Sequence, residues 1–509
     1  MGYITNADRM LIGGKLVEST SGAWDECINP ANEQPIGRVS AGTKEDVDRA
    51  VIAAQTAWPD WARTPIKDRA EIVRKFGTNL IARAQEILEV EVADSGNTIK
   101  PMRADVGHAV DSLNYYAGIA DELKGETIPA TPDHLHLTLR EPYGVVGRIV
   151  PFNHPLMFAV ARTAAALASG NAFVVTPPET SPLSAMLLAE IAAASLPPGL
   201  FNIVTGLGRT VGDAIVRHPD IKRIAFIGSV ETGRAIQRAA ADVCVKNVSL
   251  ELGGKNPMIV FPDNDPDEIA RAAVSGMNFT WQGQSCGSTS RLLVHEDIHD
   301  RVLEAVTERV SNLRVGDPMS EESEMGPLNS AGQLHKVMGF IDSGRQEGAR
   351  LMTGGERPVG QMFRIGNWIR PTVFADVAPT MRIWREEIFG PVLSVTPWRD
   401  VDEAMSRANG VDYGLTAAIW THDIKHALNA ARRIRSGQIW INTVGPHYLG
   451  VSYGGMKNSG VGREEGIEGL CHVACREREV SAPQELSGRC DRRPPRGHRR
   501  TAKHTVCSG

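Results

Sequence analysis

Between Gly144 and Gly254 the chain alternates short apolar runs with helical stretches, and no other feature limits the possible fold as much. The runs are Val145–Val150, Ala172–Val175, Asn202–Val204, Arg223–Ile227 and Asn247–Leu250. Short strands that alternate with helical segments imply βαβ units, and near-continuous apolar strands are buried on both faces. The segment is therefore predicted to form a parallel sheet with helices on both sides, an architecture that binds nucleotides at the carboxyl ends of its strands. A second series, Pro257–Val260, Ser290–Val294, Val392–Val395 and Gln438–Ile441, predicts a further α/β region.

The chain has 509 residues, too many for one ordinary core and enough for about three folding units. From Lys44 to Leu123 apolar residues recur at helical spacing, as in Val47, Val51 and Ala54 or Ile72, Phe76 and Leu80, which predicts amphipathic helices. His134–Arg140 alternates polar and apolar residues and predicts a half-exposed strand that pairs with another. A net charge of -5 provides no overall basic surface and argues against a nucleic-acid partner. No apolar stretch approaches the roughly eighteen residues of a membrane helix, and Met1–Lys15 lacks the pattern of a signal peptide. A cytoplasmic protein without a membrane partner is expected.

Seven sparse cysteines without a repeating spacing are unlike a disulfide framework. Cys471, His472 and Cys475 lack the second Cys/His pair that zinc requires, so no metal is expected. From Ser487 to Gly509 arginines crowd a segment almost free of large apolar residues, and a disordered basic tail is predicted.

Three residues carry candidate chemistry. Cys286 lies in the small-residue run Gly283–Ser290, which would leave a thiol accessible as a covalent nucleophile requires, although isolated cysteines are more often buried filler. Glu251 follows an apolar strand, where burial would raise its pKa and suit it to act as a base, but Glu before Gly253 and Gly254 also reads as a turn. Asn153 ends another strand, where its amide could donate to an oxyanion or could serve a turn before Pro155.

Taken together, these residues make the chain resemble the aldehyde dehydrogenase superfamily from about Leu11 to Leu470. The ordered motifs are Pro151–Pro155, Phe226–Ser229 with Gly233, Glu251–Gly254, the Cys286 segment, Glu386–Pro391, Tyr413–Leu415, and Gly454–Gly460 with Gly462. The resemblance implies oxidation of an aldehyde to an acid through a thioester on Cys286. Asn153 and the Cys286 backbone amide would form the oxyanion hole, and Glu251 would activate water. It also implies an NAD cofactor, with NADP as an alternative. Gly228, Ser229, Gly233 and Leu252 would border the pyrophosphate, Glu387 and Phe389 the nicotinamide ribose and ring, and Glu179 and Thr176 the adenosine ribose.

Thr176 stands where most members have Lys, removing a cationic donor to that ribose. Arg162 replaces a frequent Lys, and a guanidinium does not relay protons. His154, Met157, Phe158 and Ala161 are candidates to line a roomy, mostly apolar aldehyde pocket, with His154 equally readable as a packed surface residue.

The implied fold is α/β: a Rossmann-like cofactor domain (residues 1–121 and 141–253, with 451–467 returning to it), a second α/β catalytic domain (254–450), and a small β oligomerisation element (122–140 and 468–483). That element would join a neighbour's to build a homodimer or homotetramer. Two rival readings are an acylating enzyme that passes the thioester to coenzyme A, which a base for water argues against, and a silent binding or structural homologue, which the joint presence of Cys286, Glu251 and Asn153 disfavours.

Overall fold

The computed structural model describes residues 9–470 and 475–483. Cys471, His472 and the basic segment from Ser487 lie outside the described residues.

The first sheet runs in the order Lys15–Val17, Met10–Ile12, Phe201–Ile203, Ala172–Thr176, Val145–Ile149, Arg223–Gly228, Asn247–Leu252, Gly460–Val461. Its five central strands are parallel. By chain order they read third, second, first, fourth, fifth, the doubly wound arrangement that reverses between Val145–Ile149 and Arg223–Gly228. The parallel expectation needs correction at the edges. Met10–Ile12 pairs antiparallel with both of its neighbours, and Gly460–Val461 pairs antiparallel with Asn247–Leu252. These short strands arrive without a crossover helix, so nothing forces them into the parallel direction.

Helix Pro155–Ala168 begins with proline in its first turn, where a missing N–H costs nothing. It packs against helix Asp105–Gly118 and is buried almost all round. Its start fixes where the loop bearing Asn153 leaves the sheet.

The second sheet is ordered Arg350–Thr353, Thr372–Ala375, Val392–Trp398, Arg291–His295, Pro257–Val260, Thr416–Trp420, Gln438–Ile441. Only Arg350–Thr353 is antiparallel, and clusters around Trp384 and Ile419 and around Val302 and Leu292 make up its core. Arg350–Thr353, Thr372–Ala375 and Thr416–Trp420 are strands that the sequence reading misses. They are brief, four or five residues each, too short for a regular apolar pattern to stand out.

Both sheets belong to one compact unit, residues up to 123 with 142–476. A second, small unit takes 124–141 and the residues from 477. Its sheet is ordered Cys475–Pro483, His134–Pro142, Thr127–Ile128. The resemblance leads to pairing of the C-terminal strand with a neighbour's arm, whereas here it lies beside the arm of its own chain. Opposite charges meet across the two strands, Arg140 with Glu477 at 2.7 Å and Arg478 with Glu141 at 2.9 Å. Ile128, Leu135 and Leu139 stay 41–45 % exposed on this small sheet. Among the described residues no helix is long and apolar enough to cross a membrane.

Candidate active site

The carboxyl ends of the central strands converge on the point where strand order reverses. Asn153 follows Val145–Ile149, Thr176 closes Ala172–Thr176, Gly228 and Ser229 leave Arg223–Gly228, and Glu251 and Leu252 end Asn247–Leu252. Ser229 caps helix Val230–Ala241, its hydroxyl accepting the Thr232 N–H at 3.2 Å. The remaining first-turn amides and the helix dipole favour an anion there. A Cβ on Gly233 would lie 2.8 Å from a Leu252 methyl, so only glycine lets this helix settle against the strand that carries Glu251.

Cys286 is half-buried on the segment before strand Arg291–His295. Asn256 fixes it: its Nδ2 donates to the Cys286 carbonyl at 2.7 Å and to the Ser288 carbonyl at 2.9 Å, while its Oδ1 accepts the Thr416 N–H at 3.0 Å. Asn256 had a visible signal, its place within the Glu251–Pro257 run, but nothing in the sequence tied it to the thiol. The thiol is less open than its small neighbours suggest. Burial, then the charge and hydrogen-bonding of Glu251, push it well above the ordinary thiol range.

Glu251 is 5 % exposed, and burial raises its carboxyl against the pull of Arg162 and the Cys286 thiol. Among the described residues neither oxygen has a hydrogen-bond partner, while the nearby Cys286 thiol is one of the groups that hold the carboxyl down. The Asn153 backbone carbonyl accepts Asn97 Nδ2 at 2.8 Å. Among the described residues neither the Asn153 side-chain amide nor the Cys286 backbone N–H has a hydrogen-bond acceptor. Two contacts staple the neighbouring loops together, Gln282 Nε2 to the Gly96 carbonyl at 3.1 Å and Thr98 Oγ1 to the Thr280 carbonyl at 3.2 Å. Tyr453 is a neighbour that sequence reasoning did not single out. Its hydroxyl is buried without a partner, and burial followed by Cys286 and Glu251 raises its pKa.

Glu387 Oε1 accepts the Gly254 N–H at 2.9 Å. A Cβ on Gly253 would fall 1.9 Å from Glu387 Oε2, so the bare backbone is what admits the carboxylate. Burial pushes Glu387 up to about 7 against the Gly254 N–H and the charges of Lys336 and Lys255. Phe389 has φ +55° and meets Phe152 edge-on at 5.6 Å, and its carbonyl accepts Gln333 Nε2 at 2.5 Å. Thr176 is buried with its hydroxyl unpaired. Glu179 is exposed and accepts the Gly208 N–H at 3.0 Å. Lys255, also missed in the sequence, is buried without a partner, and burial followed by Arg291 lowers it to about 7.

The residues expected to line a substrate pocket lie at the start of helix Pro155–Ala168 or within it. Ala161 borders a cavity of about 20 Å³ whose other walls include Arg162, Glu464 and Glu465. Arg162 lies 3.1 Å from Glu464 and 2.6 Å from Glu465, so charge occupies the space that the small side chain leaves. Phe158 is buried in the main core and Met157 half-buried against it. Nor does His154 pack as an ordinary surface residue: Nδ1 is 2.7 Å from buried Asp105, and the ring lies 5.3 Å from Trp281. Burial presses its imidazolium down, but Asp105 outweighs that, and the net shift is upward. Among the described residues no group of three or more His, Cys, Asp or Glu is arranged to hold a metal ion.

Residues 16–476 match the profile of the aldehyde dehydrogenase family. The chain is 44 % identical over 452 residues to aldehyde dehydrogenase tropH of Talaromyces stipitatus, covering 87 % of each chain. A Bacillus cereus aldehyde dehydrogenase solved as its NAD+ complex superposes with a TM-score of 0.91 at 37 % identity, covering 94 % of this chain and 96 % of that one. Betaine aldehyde dehydrogenase from Staphylococcus aureus, solved with NAD+, superposes with a TM-score of 0.91 at 35 % identity, covering 93 % and 94 %. With the profile matching residues 16–476 and a relative 44 % identical over 452 residues, the chain belongs to the aldehyde dehydrogenase family.

Proposed function

We propose that this protein oxidises an aldehyde to a carboxylic acid with NAD, and that Cys286 carries the substrate covalently. One arrangement supports this reading above all: a thiol faces an otherwise unpaired buried carboxylate, with two N–H donors left without acceptors beside it. In the resting enzyme the thiol is protonated, so its proton must pass to a base as sulfur attacks the aldehyde carbon, and Glu251 is the carboxylate it faces. The Asn153 amide and the Cys286 N–H then receive the oxyanion, each donor contributing about 3–4 kcal/mol of barrier lowering. Bound NAD supplies the hydride acceptor that turns the thiohemiacetal into a thioester. Once it has lost the first proton, Glu251 takes another from a water whose oxygen replaces sulfur at the acyl carbon; the departing Cys286 thiolate regains its proton from the new carboxylic acid, which leaves as carboxylate.

Ser229 and the first turn behind it suit the pyrophosphate, with Gly228, Gly233 and Leu252 shaping that crevice. The Glu387 carboxylate suits ribose hydroxyls, and Phe389 suits the face of the ring. Glu179, adjoining the adenosine ribose, would repel a 2′-phosphate and favour NAD over NADP. The relatives solved with NAD+ support the same cofactor. A water-activating Glu251 disfavours coenzyme A as acyl acceptor, and product analysis with and without coenzyme A tests that alternative.

The cofactor domain is assigned to residues 1–121 and 141–253 with 451–467, the catalytic domain to 254–450, and the assembly element to 122–140 and 468–483. The separate cores of the two sheets support the division. Exposed Ile128, Leu135 and Leu139 support assembly into a dimer or tetramer through that element. The sparse cysteines support a cytoplasmic location. The primary test is Cys286→Ala, which should abolish aldehyde-dependent NADH formation while NAD binding, followed by calorimetry, stays intact. Oxidation persisting near the parent rate would refute the mechanism.

A further inference from the structure

On the reading above, the two oxyanion donors are borne by different sheets. Asn153 follows Val145–Ile149 of the first sheet, and Cys286 precedes Arg291–His295 of the second. A donor serves the oxyanion only from about 2.7–3.1 Å, so the two must keep a fixed spacing although their sheets have separate cores. A displacement of about 1 Å is enough to slow a reaction severely.

A short segment that belongs to neither sheet lies between them. Helix Ala84–Ser95 ends at Gly96, whose φ of +79° is the left-handed turn that closes a helix, and the Gly96 N–H donates to the Val92 carbonyl. The chain then passes through Asn97 and Thr98, both buried, before helix Ile99–Met102 begins. On one side Asn97 Nδ2 donates to the Asn153 carbonyl at 2.8 Å, and among the described residues this is the one hydrogen bond on the Asn153 backbone. On the other side Thr98 Oγ1 donates to the Thr280 carbonyl at 3.2 Å, and the Gly96 carbonyl accepts Gln282 Nε2 at 3.1 Å. Thr280 and Gln282 sit on the segment that runs into Cys286, and Gln282 is itself held in a left-handed turn at φ +54°.

The bridge is anchored at both ends. One turn back on the same helix Glu91 accepts the Leu156 N–H at 2.7 Å, just beyond Asn153, and Asp94 accepts the Leu183 N–H at 2.8 Å. The Ser95 carbonyl accepts Asn329 Nδ2 at 3.4 Å, while the Asn329 N–H donates at 3.2 Å to Gln284 Oε1, shortly before the thiol. A Cβ on Gly326 would stand 2.0 Å from the Gly96 carbonyl oxygen, so the loop opposite closes on the bridge with bare backbone. The links to the Cys286 segment therefore run in parallel, whereas the link to Asn153 itself is single.

We propose that Asn97 is a positioning residue that holds the Asn153 amide at its working distance from the Cys286 N–H, tying the Asn153 backbone to a bridge that Gly96 and Thr98 fasten to the thiol segment. In this scheme it acts through Asn153 and touches neither aldehyde nor cofactor.

The test is a double-mutant cycle read on the NADH burst. Asn97→Leu keeps the volume of the side chain and removes the donor. At saturating NAD and aldehyde it should slow the burst about tenfold, with the half-saturating concentrations of both unchanged. Alkylation of Cys286 by iodoacetamide, a substitution that forms no oxyanion, should keep its parent rate. Added to Asn153→Ala, which has no amide to position, Asn97→Leu should leave the burst within about twofold of Asn153→Ala alone. Thr98→Val cuts one of the parallel links and should slow the burst about threefold, again without slowing alkylation. A parent-like burst in Asn97→Leu, an equal fall in alkylation, or losses that simply multiply in the cycle would each overturn the proposal. Where Asn97→Leu does not fold, a parent-like burst in Thr98→Val overturns it as well. The inference rests on Asn153 as an oxyanion donor, and Asn153→Ala separates the two failures. A parent-like burst in Asn153→Ala sinks the donor, whereas a slowed burst there beside a parent-like Asn97→Leu sinks only the positioning role.

Discussion

At the residue scale, the site depends on side chains whose environment sets their proton affinity. Burial raises the Glu251 carboxyl while Arg162 limits the rise, which suits it to the base proposed for it. Glu251→Gln should therefore slow steady-state turnover about a hundredfold or more yet spare the NADH burst comparatively, since the base for water acts after thioester formation. Equal losses in both phases, read by rapid-mixing absorbance, would mean that Glu251 serves mainly to deprotonate the thiol. A base with a raised pKa becomes active only as pH climbs through that value, so hydrolysis should weaken on the acid side, and a pH profile of kcat that is flat there would contradict the assignment. On the proposed reading, exposed Glu179 and the unpaired Thr176 hydroxyl adjoin the adenosine ribose. We expect higher kcat/KM with NAD than with NADP, and the reverse order would point to the space beside Thr176 as a phosphate site.

At the element scale, the candidate site residues are placed by where strands end. Asn153, Thr176, Ser229 and Glu251 come from four neighbouring parallel strands, so a sheet that buries its apolar faces brings their carboxyl ends together without further design. The turn after Asn247–Leu252 shows how narrow the tolerance is. Gly253→Ala would put a methyl 1.9 Å from a Glu387 oxygen and displace a carboxylate now held by the Gly254 N–H. Loss of that charge-assisted hydrogen bond should raise KM for NAD by about tenfold, with the fold retained. Titration of NAD binding in Gly253→Ala checks this, and unchanged affinity would remove Glu387 from the cofactor site. Five strand runs and the helices from Lys44 to Leu123 were legible because buried strands and amphipathic helices leave regular apolar patterns. Thr372–Ala375 and Thr416–Trp420 were not, since four or five residues are too few for their buried apolar side chains to form a recognisable pattern.

At the scale of the whole molecule, the small sheet around His134–Pro142 leaves Ile128, Leu135 and Leu139 facing solvent. A dimer or tetramer is expected in light scattering. Removal of 487–509 should leave it unchanged because that segment offers few apolar side chains, whereas removal from Arg476 onward should weaken it by stripping a strand from the sheet. A monomeric full-length protein, or dissociation on the shorter deletion, would contradict this account. The sequence by itself determined the α/β class, the family, and the candidacy of Cys286, Glu251 and Asn153, because strand periodicity and ordered motifs are local and survive without coordinates. Only the tertiary structure decided that Asn256 clamps the Cys286 carbonyl, that Arg162 is committed to Glu464 and Glu465, and that Asn97 holds the Asn153 carbonyl. Those contacts join residues far apart in the chain, and burial and charge act through space, so no window of sequence contains them.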